Sequence, residues 1–156
     1  MPEHLKMYLA GEWTDGTGED AHDLISPVSG EHIATVPLPS QTDVDRAVQA
    51  AREAADDMRH WSAFERADLC LRIAAAIEPL VPEIARIQTL EQGKPYHEES
   101  LADIEEANQY FYNAAEDVKR LTGEVIPTSD RNKRMFTFHR PVGVWAAITP
   151  WNFPVT

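Results

Sequence analysis

Pro141 opens a nearly unbroken apolar run, Val142-Gly143-Val144-Trp145-Ala146-Ala147-Ile148-Thr149, and no other segment restricts the fold as much. A strand with one solvated face alternates apolar and polar side chains. A run without alternation suits a strand buried on both faces, in a parallel sheet with helices on either side. Such a sheet needs further strands and crossover helices, yet only seven residues follow Thr149. The expectation is a portion of a larger α/β protein, cut where its parallel sheet begins.

Helical patterns fill the middle of the chain. Ser40-Gln41-Thr42-Asp43 has a capping serine and, at the third helical position, an acid that the helix dipole favours. Behind it Val44, Ala47, Val48, Ala51, Ala54 and Met58 recur at helical spacing as one apolar stripe. Ser62-Ala63-Phe64-Glu65 is a capping box, followed by Leu69, Ile73, Ala76, Ile77 and Leu80 on an inward face. Pro79 and Pro82 interrupt this helix, and Pro82 suits the first turn of a third, which carries Ile84, Ile87 and Leu90 and stops at Gly93. Leu101, Ile104, Asn108, Phe111, Ala115 and Val118 line a fourth, ending near Thr122-Gly123.

Short strands flank the helices. Met7-Tyr8-Leu9, Leu24-Ile25-Ser26 and the segment from His32 to Val36 form a small meander, with a turn at Pro27-Val28-Ser29-Gly30. Past Gly123, Glu124-Val125-Ile126 and the alternating segment from Arg134 to Arg140 return to β structure.

Composition removes several classes of function. The chain carries 14 Lys and Arg against 26 Asp and Glu, a net charge of -12, which disfavours charge-driven nucleic-acid binding. No apolar run approaches the ~18 residues that span a bilayer, and the segment from Met1 to Met7 has no apolar signal core. A cytoplasmic location without membrane partners is expected. The single cysteine, Cys70, excludes an internal disulfide or a multi-cysteine zinc site. The six histidines form no ligand pair, so no metal is expected.

Most polar groupings have plain explanations. Cys70 lies between Leu69 and Leu71 on a helix without an electropositive neighbour, so it reads as a packed thiol rather than a nucleophile. Glu98-Glu99 and Glu105-Glu106 suit a solvated helix face. Leu90-Glu91-Gln92-Gly93-Lys94-Pro95 lacks the length and the ending of a phosphate loop and reads as a glycine helix stop. Thr149-Pro150-Trp151-Asn152-Phe153-Pro154 is different, because it follows the buried strand at its carboxyl end, where open α/β sheets bind ligands. Its prolines stiffen the loop, and aromatics flank Asn152 on both sides. A pre-set carboxamide N–H is a neutral donor able to stabilise an oxyanion, and losing one such donor lowers rates by ~10²–10³. Taken alone, the loop fits a proline-rich turn with a locally bonded asparagine better than it fits a site.

Ordered segments of the chain resemble the aldehyde dehydrogenase superfamily. Tyr8-Leu9-Ala10-Gly11-Glu12-Trp13 is similar to the family's opening strand and turn, and Ser26-Pro27-Val28-Ser29-Gly30-Glu31 to a turn where the family has Asn in place of Ser26. Asp43 to Val48 resembles its first helix. Leu90 to Pro95 and the path from Arg140-Pro141-Val142-Gly143-Val144 to Pro150-Trp151-Asn152-Phe153-Pro154 complete the set. The resemblance runs from about Tyr8 to Thr156.

The resemblance implies an α/β fold class: a short β-meander, four helices, the start of a Rossmann-like parallel sheet and part of an oligomerisation arm. Residues 1–156 are then the amino-terminal portion of the cofactor-binding domain, with 124–140 in the arm and the catalytic domain absent. It implies oxidation of an aldehyde to a carboxylic acid with NAD or NADP through a cysteine thioester, by a homo-oligomer, dimer or tetramer, when full length. By the same resemblance Asn152 is the catalytic oxyanion donor. Ile148, Thr149, Pro150, Trp151 and Asn152 run beside the cofactor, and Phe153 meets the aldehyde. The nucleophile, the glutamate base and the glycine-rich cofactor turn have no counterpart here, so the 156-residue chain is expected to be inactive alone. A catalytically dead module docking onto intact subunits is the alternative. A small acidic helical binding protein fits the ordered resemblance poorly.

Overall fold

The computed structural model describes residues 3–156. Strands β1 (Glu3–His4), β4 (Ala21–Ile25) and β5 (His32–Pro37) form one sheet in the order β1-β5-β4, with β1 parallel and β4 antiparallel to β5. A separate hairpin joins β2 (Met7–Leu9) to β3 (Glu12–Thr14), pairing Tyr8 with Trp13 edge to face at 5.2 Å. Its two-residue turn holds Ala10 at φ 53° and Gly11 at φ 89°, the left-handed backbone that matches strand twist. Ser26 does the work of a turn-forming amide: its hydroxyl accepts the Val28 and Ser29 N–H groups at 3.3 Å, and its carbonyl accepts Gly30 N–H at 2.9 Å.

The helices are α1 (Gln41–Met58), α2 (Ala63–Ile77), α3 (Val81–Gln92) and α4 (Leu101–Val118). Ser40 and Ser62 close reciprocal capping boxes with Asp43 and Glu65, as their spacing predicts. The proline pair Pro79 and Pro82 produces a single 3-10 turn, Glu78–Leu80, and then the start of α3. Gly93 ends α3 at φ 75°, the left-handed value that glycine takes without steric penalty. A π turn, Tyr96–Ser100, then feeds α4.

The core lies where α3 meets α4, with Val81, Ala85 and Ile104 buried against Ile77, Ile84, Tyr96 and Leu101. Ala67 and Ala74 on α2 and Ala107 and Ala115 on α4 are also buried, and these small side chains let the two helices approach closely. The inward face of α4 matches the sequence expectation. That of α3 is rotated: Ile87 and Leu90 are exposed, while Ala85 and Gln88 are buried. Of the inward face expected from Leu69 to Leu80, Ala76 on α2 and Leu80 in the following 3-10 turn face solvent, and Ala67 and Ala74 are buried instead.

Three further expectations are revised. The α1 stripe is open rather than buried: Val44, Ala47 and Val48 line a groove of about 1030 Å³ whose far wall is Gly143, Val144, Trp145 and Ala146. Residues 142–149 form no strand and are exposed, because no described strand offers them ladder partners. Strand order beyond Gly123 is limited to β6 (Val125–Ile126) and β7 (Met135–Phe136), an antiparallel pair shorter than the span from Arg134 to Arg140. No helix among the described residues is long and apolar enough to cross a membrane.

Candidate functional site

The carboxyl end of the 142–149 run leads into a tight turn, in which Phe153 N–H donates to the Pro150 carbonyl at 3.2 Å. Pro150 fixes its own φ, which narrows the conformations open to the segment. Asn152 is half-buried, and its carboxamide takes part in no hydrogen bond among the described residues. The local bond that would make it an ordinary turn asparagine is therefore not made.

The other sequence-predicted site residues surround it in the open. Ile148 is 94% exposed and Trp151 85% exposed, and Thr149 and Pro150 are exposed as well. Phe153 presents its ring to the Lys94 ammonium, with Nζ 4.1 Å from the ring centroid. Ile148 and Thr149 use no main-chain group in hydrogen bonding among the described residues. Free carbonyls beside apolar and aromatic faces can accept hydroxyl donors and cover a flat ring.

The loop is tied to the helical layer by side chains outside the sequence-predicted site, two of them in the segment that reads as a glycine helix stop. Gln92 Nε2, in the last turn of α3, donates to the Trp151 carbonyl at 2.6 Å. Lys94, just past the Gly93 stop, forms an ion pair with Asp103 at 2.5 Å, and their side chains are only 15% and 12% exposed. The same carboxylate oxygen accepts Gln88 Nε2 at 2.7 Å. Across the loop, Thr156 Oγ1 donates to the Asp103 carbonyl at 3.4 Å. Burial also pushes the Glu91 carboxyl above its ordinary range. One signal for this network was visible: Gln88 and Gln92 are one turn apart, and Lys94 is one of only four lysines.

Cys70 lies half-buried on α2. Among the described residues no group of three His, Cys, Asp or Glu side chains is placed to hold a metal ion.

The chain is 37% identical over 147 residues to glutarate-semialdehyde dehydrogenase of Pseudomonas putida, covering 94% of this chain and 30% of that protein. It is 36% identical over 146 residues to the succinate-semialdehyde dehydrogenase [NADP(+)] GabD of Escherichia coli, again covering 94% of this chain and 30% of the relative. The crystal structure of succinate-semialdehyde dehydrogenase from Burkholderia pseudomallei superposes with a TM-score of 0.90 at 37% identity, over 96% of this chain and 31% of that one. The chain thus spans about 30% of the length of the curated relatives it matches. Its helices and short sheets are those of an amino-terminal α/β portion of that fold. A sequence model of the Aldehyde dehydrogenase family matches residues 13–156, and the chain belongs to that family.

Proposed function

We propose that this chain supplies the oxyanion-binding amide and one wall of the cofactor site to an enzyme that oxidises an aldehyde to a carboxylic acid. In this reading a cysteine thiolate outside these residues adds to the aldehyde carbonyl, and negative charge grows on oxygen as the carbon–sulfur bond forms. Asn152 meets that charge with its carboxamide N–H. Hydride loss then leaves a thioester, and water cleaves it to the acid and the free thiol. Because the donor is neutral and held in advance, it stabilises the charge without reorganising as it forms.

The observation that carries the reading is the unbonded, half-buried Asn152 carboxamide on a turn secured at both sides. NAD or NADP, when bound, would serve as hydride acceptor, and Ile148, Thr149, Pro150, Trp151 and Asn152 are the residues that would hold it. GabD, among the relatives, is named for NADP(+). Phe153 flanks the aldehyde. The relatives named for semialdehydes make an aldehyde that also bears a carboxylate a reasonable first substrate to assay.

Residues 1–156 then form the amino-terminal portion of the cofactor-binding domain, with 124–140 in an oligomerisation arm. The exposed Val125 and Phe136 of the β6–β7 pair support that assignment and a homo-oligomeric enzyme, dimer or tetramer. We place the enzyme in the cytoplasm. The 156-residue chain alone is inactive in this reading, because Cys70 is its one thiol and lies on α2. The test is Asn152→Ala in the complete reading frame that contains this chain. Turnover falls by ~10²–10³, far more than cofactor affinity weakens; unchanged turnover removes Asn152 from the chemistry.

A further inference from the structure

The Asn152 turn is gripped on both of its flanks by side chains from the last turn of α3 and from the connection just after it. The Gln92 carboxamide fixes the peptide that joins Trp151 to Asn152, through the Trp151 carbonyl at 2.6 Å. The Lys94 ammonium fixes the other neighbour, 4.1 Å from the Phe153 ring centroid. Neither contact uses the Asn152 side chain, so the backbone is held while the amide keeps its hydrogen-bonding capacity.

What holds the ammonium is equally specific. A lysine with 15% exposure has lost most of its hydration, and that is tolerable only with a close counter-charge. Asp103 provides it at 2.5 Å, and its Oδ2 is aimed by the Gln88 amide at 2.7 Å. A buried pair of this kind is weak evidence for stability, since apolar residues of similar volume often serve as well. It does restrict geometry. A partly desolvated ammonium facing an aromatic ring also gains cation–π attraction that a surface lysine lacks.

We infer that Lys94, oriented by Asp103 and Gln88 and assisted by Gln92, is a positioning residue that sets where the Asn152 carboxamide sits for the reaction. The inference rests on the proposed role of Asn152 as oxyanion donor. Lys94 touches neither substrate nor cofactor in this account; it acts through Phe153 and the turn. The effect expected is on the chemical step, because displacing a catalytic donor by about 1 Å can lower rates ~10²-fold with little change in binding.

The experiment uses the complete enzyme and four variants: Lys94→Met, Lys94→Arg, Gln92→Leu and Asn152→Ala, with the Lys94→Met/Asn152→Ala double. Lys94→Met is expected to lower kcat by about tenfold or more, with KM for the aldehyde and the cofactor Kd within about twofold. Lys94→Arg keeps charge and ring contact and restores most of the loss. Gln92→Leu leaves the ion pair intact and loses less. In the double variant kcat is no lower than in Asn152→Ala alone, since a residue acting through Asn152 has nothing left to position. Losses that multiply instead overturn the inference. Hydrogen exchange of the 149–156 amides supplies a readout independent of turnover: faster exchange there in Lys94→Met and Gln92→Leu, with α3 and α4 core amides unchanged, supports the clamp. Unchanged exchange in both refutes it. If Asn152→Ala leaves turnover intact, the oxyanion reading fails, and exchange alone then decides whether the clamp exists.

Discussion

Asp43 Oδ2 accepts the main-chain N–H of Thr17 at 2.8 Å, and so joins the loop after β3 to the first turn of α1. The same oxygen takes the Ser40 N–H at 3.0 Å and the Thr17 hydroxyl at 3.1 Å, while the side chain as a whole is 1% exposed. These donors, the Thr17 N–H first and the Ser40 N–H second, hold its carboxyl down at about 2 against an ordinary 3.8. A carboxylate with a depressed folded value contributes stability that is full above the unfolded value and is lost as pH falls through the folded one.

Asp43→Asn should therefore lower the melting temperature at neutral pH. The gap to the parent should close as pH drops from about 3.8 towards about 2. Thermal melts of both proteins across that window measure it. A gap that stays constant with pH would mean that shape, not charge, is what Asp43 contributes.

Ala10 sits at φ 53° in the β2–β3 turn, where a side chain crowds the backbone. A left-handed conformation costs a non-glycine residue about 1–2 kcal/mol. Glycine removes that strain but loses more chain entropy on folding, about 0.4–1 kcal/mol. Ala10→Gly should thus stabilise by up to about 1.6 kcal/mol in denaturant titrations, the difference between those two effects. A loss of stability would show that the turn relaxes its φ in solution.

Gly123 leaves no room for a side chain. A Cβ placed there would lie 1.8 Å from the Thr137 carbonyl oxygen, which belongs to the backbone and cannot swing aside. Thr137 also bonds Glu124 twice: its N–H donates to the Glu124 carbonyl and its hydroxyl oxygen accepts the Glu124 N–H, both at 2.9 Å. Gly123→Ala should therefore separate β6 from β7 and speed amide exchange at Thr137. The α2–α4 layer, which does not depend on this pair, should keep its protection.

The sequence was most legible where structure is settled by residues close in the chain. Ser40 with Asp43 and Ser62 with Glu65 are partners three residues apart, and Gly93 needs only its own φ, so these features follow from local pattern. The loop around Asn152 stood out because two prolines and two aromatics enclose one amide. What decides its position was hidden: Gln88 is polar, and it is buried only because Asp103, fifteen residues on, accepts its amide. Periodicity therefore favoured Ile87 and Leu90, which the structure exposes. The α1 stripe and the 142–149 run failed for a related reason. Apolar pattern records that a surface seeks cover, and no described element covers either of them.

That uncovered surface has a consequence for the 156-residue chain in solution. Val142 is 78%, Trp145 79% and Ile148 94% exposed, along a backbone with no ladder partner among the described residues. Extended backbone with apolar side chains pairs readily with other chains. The chain should self-associate as concentration rises, and Trp145→Lys or Ile148→Lys should reduce that association by adding charge to the exposed edge. Sedimentation velocity over a concentration series distinguishes the outcomes. A concentration-independent monomer, with a sharp unfolding transition that includes Trp145, would mean that this segment is already ordered against its own groove beside α1. In that case Trp145→Lys, which alters a wall of that groove, should lower the melting temperature instead of the sedimentation coefficient.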